Sequence, residues 1–551
     1  MSQSVGSNTR NSIIILLFFA SAWCCLFFVC PFHLIYKEQL TLFLCDKAYL
    51  SSLLSKPAFA AVIAGDFLTQ FFLYKLAAAT ITVLISVAVW DALRRLWRRD
   101  GLHNAALCAL IPAAACIALN CHSEYPLSMT VGAAIAAWMA FGCSLIENKT
   151  LHTVITVAAV SIIYPLAGAH SLLFVVLTTL HERKRIIPAI CIFLYGTALI
   201  LFLGNAYNLL WQDALSYPLV RGYSYKHSLL CLIVELAAAG AFAEGLIRKN
   251  GILAICSAVL LGAGIIYAQF DAKEESDIKA STLAYFGKWD KVESIGKENR
   301  FKSQTVAYYY NLAMARQGRL PNELLNVYQP LFYGLFLPVT MTETYSKVLA
   351  GADALIECGD YGQAQHSAML GMTFMPNQRS SRAVRRLAEI AVYNGDTLAA
   401  GKYLGMLDKT LMHRSWARQT KKLLKDGIAV PLNSCRDTVY FINDYRTSLK
   451  NILDSGNAPE ATLDYLLCYD LLIKNLVLFM QDYDGYYLTK YPNIIPPRIY
   501  QEALEMMEAG PEYNISQKVK ADNQLFLSGQ EYKFPKSYWY YFKFAQPGNE
   551  N

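Results

Sequence analysis

Seven apolar runs, at 12–36, 71–92, 103–120, 127–146, 186–205, 228–247 and 251–269, crowd into the first half of this chain. An α-helix needs about 20 apolar residues to cross a hydrocarbon layer, where every backbone polar group must be bonded within the segment. Repeated runs of that length leave few alternatives to a helical bundle in a bilayer. An eighth stretch, 151–181, is apolar throughout but carries Pro165 and Gly168. It reads as one long kinked helix or as two short ones.

Charge separates these readings, because short cytoplasmic loops collect Lys and Arg. Arg94, Arg95, Arg98 and Arg99 form one cluster, His181-Glu182-Arg183-Lys184-Arg185 a second and Arg248-Lys249 a third, with Lys149 as a weaker member. Two short helices turning at Tyr164–Gly168 put every cluster on one side and give nine spans. A re-entrant hairpin would assign the loops in the same way. The N-terminus is then inside, everything after residue 270 lies outside, and 37–70, 121–126 and 206–227 are external. The formal net charge of +7 is accounted for by these loops, so it reports topology rather than nucleic-acid binding. The run 12–36 follows a short start with Arg10 and is too long for a cleaved signal, so it reads as an anchor. Leu40, Phe43, Leu44, Leu50, Leu53 and Leu54 suggest an amphipathic helix lying in the interface.

Residues 270–425 carry a second pattern. Cys358-Gly359-Asp360-Tyr361-Gly362-Gln363-Ala364 precedes Pro376, and Asn394-Gly395-Asp396-Thr397-Leu398-Ala399-Ala400 repeats it, with Leu387-Ala388 at helix-contact positions. Gln317-Gly318-Arg319 and Phe286-Gly287-Lys288-Trp289 are weaker copies. These features match the turn and small contact residues of tetratricopeptide repeats, in which a glycine ends the first helix of each pair in the left-handed conformation. The alternative is a generic bundle of helical hairpins. Residues 426–551 add a helix over Ala458–Gln481, another over Tyr500–Glu508 and a Tyr- and Pro-rich loop over Asp482–Pro497. The aromatic tail Tyr538–Phe544 could dock on the repeats, lie at the membrane or bind sugars. The expected fold is therefore all-α: a transmembrane bundle over 1–269, then a tetratricopeptide-like solenoid.

Asp66-Phe67-Leu68-Thr69-Gln70-Phe71-Phe72, the Tyr164-Pro165-Leu166-Ala167-Gly168 break and the repeat-bearing second half resemble a family of bacterial inner-membrane proteins known only as a domain of unknown function. The resemblance implies architecture and an inner-membrane location, and brings no activity. In layout the chain is also similar to multi-span membrane glycosyltransferases, which place an acidic residue in the first external loop beside a lipid-linked sugar.

That comparison singles out Glu38, Asp46 and Asp66 as candidate bases, since a carboxylate there could deprotonate an acceptor hydroxyl as a polyprenyl phosphate leaves. Arg221, Lys226 and His227 could neutralise the phosphate. The bland reading is that a wet loop contains carboxylates and that basic residues anchor helix ends. Glu235 lies inside a span, where an ionised carboxylate costs at least ~2.5 kcal/mol unless paired. His170 and His227 are its candidate partners. The site is a proton relay or substrate contact, or else a neutral interhelical hydrogen bond. Cys121, His122 and Glu124 are too few for a metal site. With no P-loop, GxSxG or HExxH, the ATP-hydrolysis, serine-hydrolase and zinc-protease readings lack their usual motifs, which leaves any cofactor unknown. Of the 14 cysteines, most sit in apolar runs as packing residues. The expected partners are membrane lipids and a protein or peptide on the solenoid. The expected function is a membrane-anchored interaction protein; the alternatives are an envelope glycosyltransferase or a transporter.

Overall fold

The computed structural model describes residues 2–219, 232–247, 251–337, 345–375, 378–426 and 444–545. These residues are helical or irregular, with no strand among them. They gather into two compact units. The first comprises Met1–Glu275, Met375–Ser381 and Met406–Ser415; the second comprises Ser276–Phe374, Arg382–Gly405 and Trp416–Asn551.

The first unit opens with helices α1 (Ser2–Phe28), α2 (Pro31–Gln39), α3 (Lys47–Leu54), α4 (Phe59–Thr69), α5 (Lys75–Arg99), α6 (Ala105–Cys108) and α7 (Leu110–Leu119). It continues with α8 (Leu127–Ser144), α9 (Lys149–Ala167), α10 (Ser171–His181), α11 (Ile186–Ala206), α12 (Trp211–Ala214), α13 (Ile233–Ile247) and α14 (Gly251–Gln269). Six stretches are long and apolar enough to cross a membrane: Arg10–Phe28, Lys75–Arg99, Leu127–Ser144, Lys149–His181, Ile186–Ala206 and Gly251–Ala268. Phe59–Leu73 and Ala105–Leu119 are apolar but shorter. Leu16, Ile187, Phe202 and Leu260 remain exposed on the outer helices, a surface suited to hydrocarbon. Small residues let helices approach closely, as in membrane bundles. A Cβ on Gly65 of α4 would stand 2.5 Å from the Cα of Ser128 on α8.

The Arg94–Arg99 end of α5 and the 181–185 cluster meet at one end of this unit, while Arg248 and Lys249 lie outside the described residues. His181 pairs with Asp100 at 2.5 Å, and Arg183 donates to the Asp100 carbonyl. Gly245 abuts Leu102, and Gly251 abuts Leu107 and Asn104. The ambiguous stretch 151–181 folds back on itself. Gly168, at φ +61°, separates α9 from α10, and the two outer ends meet: Arg185 donates to the Lys149 carbonyl at 3.3 Å, and His152 lies 2.8 Å from Glu182. Backbone groups at the break are bonded by neighbouring chain. The Tyr164 carbonyl accepts from Ala58 N–H, and Ala169 N–H donates to the Tyr217 carbonyl. Broken helices persist in apolar surroundings only when their freed polar groups find such partners.

Two expectations change. The run 12–36 is not one helix, because α1 stops at Phe28 and Pro31 starts α2. The segment 37–70 forms no single interfacial helix either. All nine residues of α2 are buried, as are Leu40, Phe43 and Leu53, while α3 and α4 are separate short helices.

In the second unit and leading into it, helices follow in pairs: α15 (Ala272–Tyr285) and α16 (Trp289–Glu298), α17 (Gln304–Arg316) and α18 (Leu320–Glu323), α19 (Tyr345–Glu357) and α20 (Tyr361–Phe374), α21 (Ser381–Tyr393) and α22 (Thr397–Asp408). The turns within the pairs share one hydrogen-bond pattern. Gly287, Gly318, Gly359 and Gly395 have φ of 67°, 65°, 77° and 71°. At each, the glycine N–H donates to the carbonyl three residues back, and the following N–H to the carbonyl five back. This double bond satisfies two orphan carbonyls at the helix end and needs a residue that accepts positive φ. Asp360 and Asp396 then accept from Gln363 N–H and Ala399 N–H, starting the second helix. Ala364, Leu387, Ala388 and Ala400 are buried, as expected of contact positions. Pro376 lies outside the described residues.

Helices α23 (Arg414–Lys425), α24 (Tyr445–Asp454) and α25 (Glu460–Leu472) come next. Residues 476–488, expected in part as loop, are helical: Tyr483 and Tyr487 pack on Tyr500, so aromatic contact outweighs their weak helix propensity. The tail docks within this unit. Tyr538 and Tyr541 donate to the carbonyls of Leu471 and Leu472, and Trp539 to that of Glu502.

Candidate functional site

At the end of the first unit opposite the basic clusters, α2 is a buried helix with an unusual sequence, Pro31-Phe32-His33-Leu34-Ile35-Tyr36-Lys37-Glu38-Gln39. Pro31 fits the first turn, where a missing N–H costs nothing. The Glu275 carboxylate accepts from the N–H groups of Phe32 and His33, both at 2.9 Å, and caps the helix where its dipole is positive. The His33 ring also bonds Glu275 and lies 3.6 Å from Glu274, which accepts from Ser123. Burial works against charge on His33, but the two carboxylates outweigh it and hold its pKa up to about 9.

Lys37 donates to the Asn120 carbonyl at 2.8 Å and to Asn120 Oδ1 at 3.1 Å, over the ring of Tyr125. Burial pushes its pKa down to about 7. Glu38 meets His413 at 2.9 Å, and both are buried. Ser380 and Ser381 donate to the carbonyls of Gln39 and Glu38.

The candidate bases therefore differ in surroundings. Glu38 is locked against His413. Asp46 stands at the start of α3 without a side-chain capping bond and pairs with Lys409 at 3.2 Å, half in solvent. Asp66 on α4 interacts electrostatically with Arg379, whose guanidinium lies 4.6 Å from the Tyr49 ring centre. Tyr217 feels the same two charges. Tyr217 also lines a cavity of about 360 Å³ with Ser55, Lys56, Tyr207 and Asp213. The three carboxylates thus meet three different partners. Arg221, Lys226 and His227 lie outside the described residues.

Glu235 and His170 do come together. Glu235 Oε1 lies 2.7 Å from His170 Nδ1, with both side chains buried, joining α13 to the turn that follows Gly168. His170 Nε2 and Glu235 Oε2 have no hydrogen-bond partner among the described residues. Gly132 lies against the ring: a Cβ there would stand 3.5 Å from His170 Cδ2.

Sequence reasoning missed His33, Lys37, Arg379 and His413. His33 falls inside the run 12–36 read as a span, Lys37 falls in the segment 37–70 read as a wet loop, and the partners of both are remote in sequence. The signal available was the pairing of Pro31 with polar residues inside an otherwise apolar run. Among the described residues no group of three or more His, Cys, Asp or Glu is arranged to hold a metal ion.

These features define an all-α protein with several helices apolar and long enough for a bilayer, joined to a helical-hairpin unit. The chain belongs to a family of unknown function (DUF6057), whose profile matches residues 7–545. No curated protein and no solved structure matches it.

Proposed function

We propose that this is a bacterial inner-membrane protein, crossing nine times, whose tetratricopeptide-like second half works in the periplasm as a docking platform for a protein or peptide. The observation that carries the reading is the turn bonded in the same way at Gly287, Gly318, Gly359 and Gly395. Repeated hairpins of this kind cannot bury their apolar faces alone, and their stacking creates extended binding surfaces. Orientation is supported by the convergence of the basic loops at the end opposite α2 and Glu275.

The test uses two fusions and one photo-crosslinker. A periplasm-dependent reporter after residue 551 should be active. A photo-reactive residue at Leu398, which is 87% exposed, should give a discrete protein adduct that Tyr532, in the C-terminal region, does not. A cytosol-active reporter sinks the orientation, and only lipid adducts at Leu398 sink the docking role.

A second reading, transfer from a polyprenyl-linked sugar, is favoured by one observation: Asp66 and Arg379 lie behind Tyr217, which lines the 360 Å³ cavity. It requires Asp66→Asn to abolish the cellular role while Asp46→Asn leaves it intact.

A further inference from the structure

We infer that Cys30 and Cys121 form a disulfide that pins the α1–α2 junction to the turn after α7. Their Sγ atoms lie 3.5 Å apart, and both side chains are buried, at 1% and 0% exposure. A disulfide requires about 2.05 Å between sulfurs, so the 3.5 Å separation has to shorten by about 1.5 Å. The pair spans 91 residues of chain and sits at the end of the unit that holds Ser123, Glu274 and Lys37. The inference rests on the outward orientation proposed above, since disulfides persist in oxidising compartments.

The Cys25 thiol also lies within hydrogen-bond reach of both sulfurs, and burial selects the pair: Cys30 and Cys121 are buried, whereas Cys25 is only partly so. In the finished unit the neighbouring thiols and burial push Cys30 and Cys121 well above the ordinary thiol value, so the thiolate that exchange requires forms before the site closes. Cys25, one turn away, offers its carbonyl to Cys30 N–H at 3.4 Å. The oxidant is the disulfide of an extracytoplasmic thiol–disulfide exchange protein. The Cys121 thiolate attacks one sulfur of that disulfide, forms a mixed disulfide and expels one thiolate. The Cys30 thiolate then attacks the Cys121 sulfur, forms the Cys30–Cys121 bond and expels the second thiolate. The pair gives up two protons and two electrons, and the oxidant becomes a dithiol. Because both thiols are buried in the finished unit, exchange takes place during assembly. The bond then fixes α2, with its contacts from His33 and Lys37, against the Asn120–Ser123 turn.

The test uses the full chain in native membranes, quenched with N-ethylmaleimide in denaturant and digested without reduction. Mass spectrometry should find a Cys30–Cys121 linked peptide in most molecules, with Cys25 alkylated. The link should survive Cys25→Ser and vanish in Cys30→Ser and Cys121→Ser, each checked for a monodisperse profile in detergent. Should a serine variant fail to fold, the wild-type peptide map still decides. Full alkylation of Cys30 and Cys121 with an outward-facing C-terminal reporter overturns the inference alone. Full alkylation with a cytosolic reporter overturns it together with the orientation. A link through Cys25 instead also overturns it.

Discussion

Arg382 gives the sharpest energetic test of the second unit. Its side chain is fully buried, donating to Ser281 Oγ at 2.6 Å, Tyr309 OH at 2.9 Å and Asp353 Oδ2 at 3.0 Å. Asp353 also meets Arg386 at 2.8 Å. Burial alone would raise the Asp353 pKa, but Arg386 and Arg382 outweigh it and hold it below the usual carboxylate range. Asp353→Ala leaves the buried Arg382 guanidinium without a carboxylate, while Arg386 keeps Glu389, and should cost about 3–5 kcal/mol, the loss expected when one partner of a buried pair is removed. At about 2–4 °C per kcal/mol for a unit of this size, the midpoint should fall by about 6–20 °C. Arg382→Met combined with Asp353→Leu should recover most of the loss, because Arg386 keeps its contact with Glu389 and no unpaired charge is left. The assay is pulsed thiol labelling during a temperature ramp, read at Cys358 and Cys468, both fully buried in this unit. A cost under about 1 kcal/mol for Asp353→Ala, or a double variant weaker than the single, would refute the reasoning. The folded pKa lies below the unfolded value, so this contribution is present above the unfolded pKa and lost as pH falls through the folded one.

The His33 pair has the opposite sign: with a folded pKa of about 9, its stabilisation is complete below the unfolded value near 6.5 and is lost as pH rises through 9. The thermal midpoint of the first unit in detergent should therefore fall between neutral pH and pH 9 or so, and His33→Gln should flatten that profile. Gly168→Ala should prevent assembly of the first unit, since its Cβ would stand 2.4 Å from the Tyr217 carbonyl at a φ of +61°; a normal yield in detergent would contradict this. Gly318→Ala has open space around it and should cost only the left-handed penalty of about 1–2 kcal/mol. Gly296→Ala drives a methyl to within 2.7 Å of Tyr310 Cγ and should cost more, measured by the same thiol-labelling midpoint. Glu235→Leu with His170 intact should lower the yield of folded protein more than Glu235→Gln, which keeps a hydrogen-bond acceptor for the ring.

The parts of the fold legible in sequence are those set by neighbours in the chain. The turn glycines could be placed because a left-handed residue, a following aspartate and buried alanines are local requirements. The fold-back at Gly168 followed from basic residues at both ends of one apolar stretch. The meeting of Glu235 with His170 could be anticipated because an acid inside an apolar helix needs a partner and few exist. What could not be read was long-range pairing. Nothing near Glu38 announces His413, and nothing near Asp66 announces Arg379. The helical Tyr483–Leu488 segment was obscured because its conformation is decided by stacking on Tyr500 rather than by its own propensity.

The return of 375–381 and 406–415 to the first unit sets a timetable for synthesis. His413 is translated 375 residues after Glu38. At about 5–20 residues per second, the α2 carboxylate waits on the order of 20–75 s for its imidazole. Throughout that interval the emerging bundle holds an acid without its counterpart. A ribosome that stalls anywhere before residue 413 leaves that acid uncapped, and quality-control proteases would meet a first unit that is folded but unsealed.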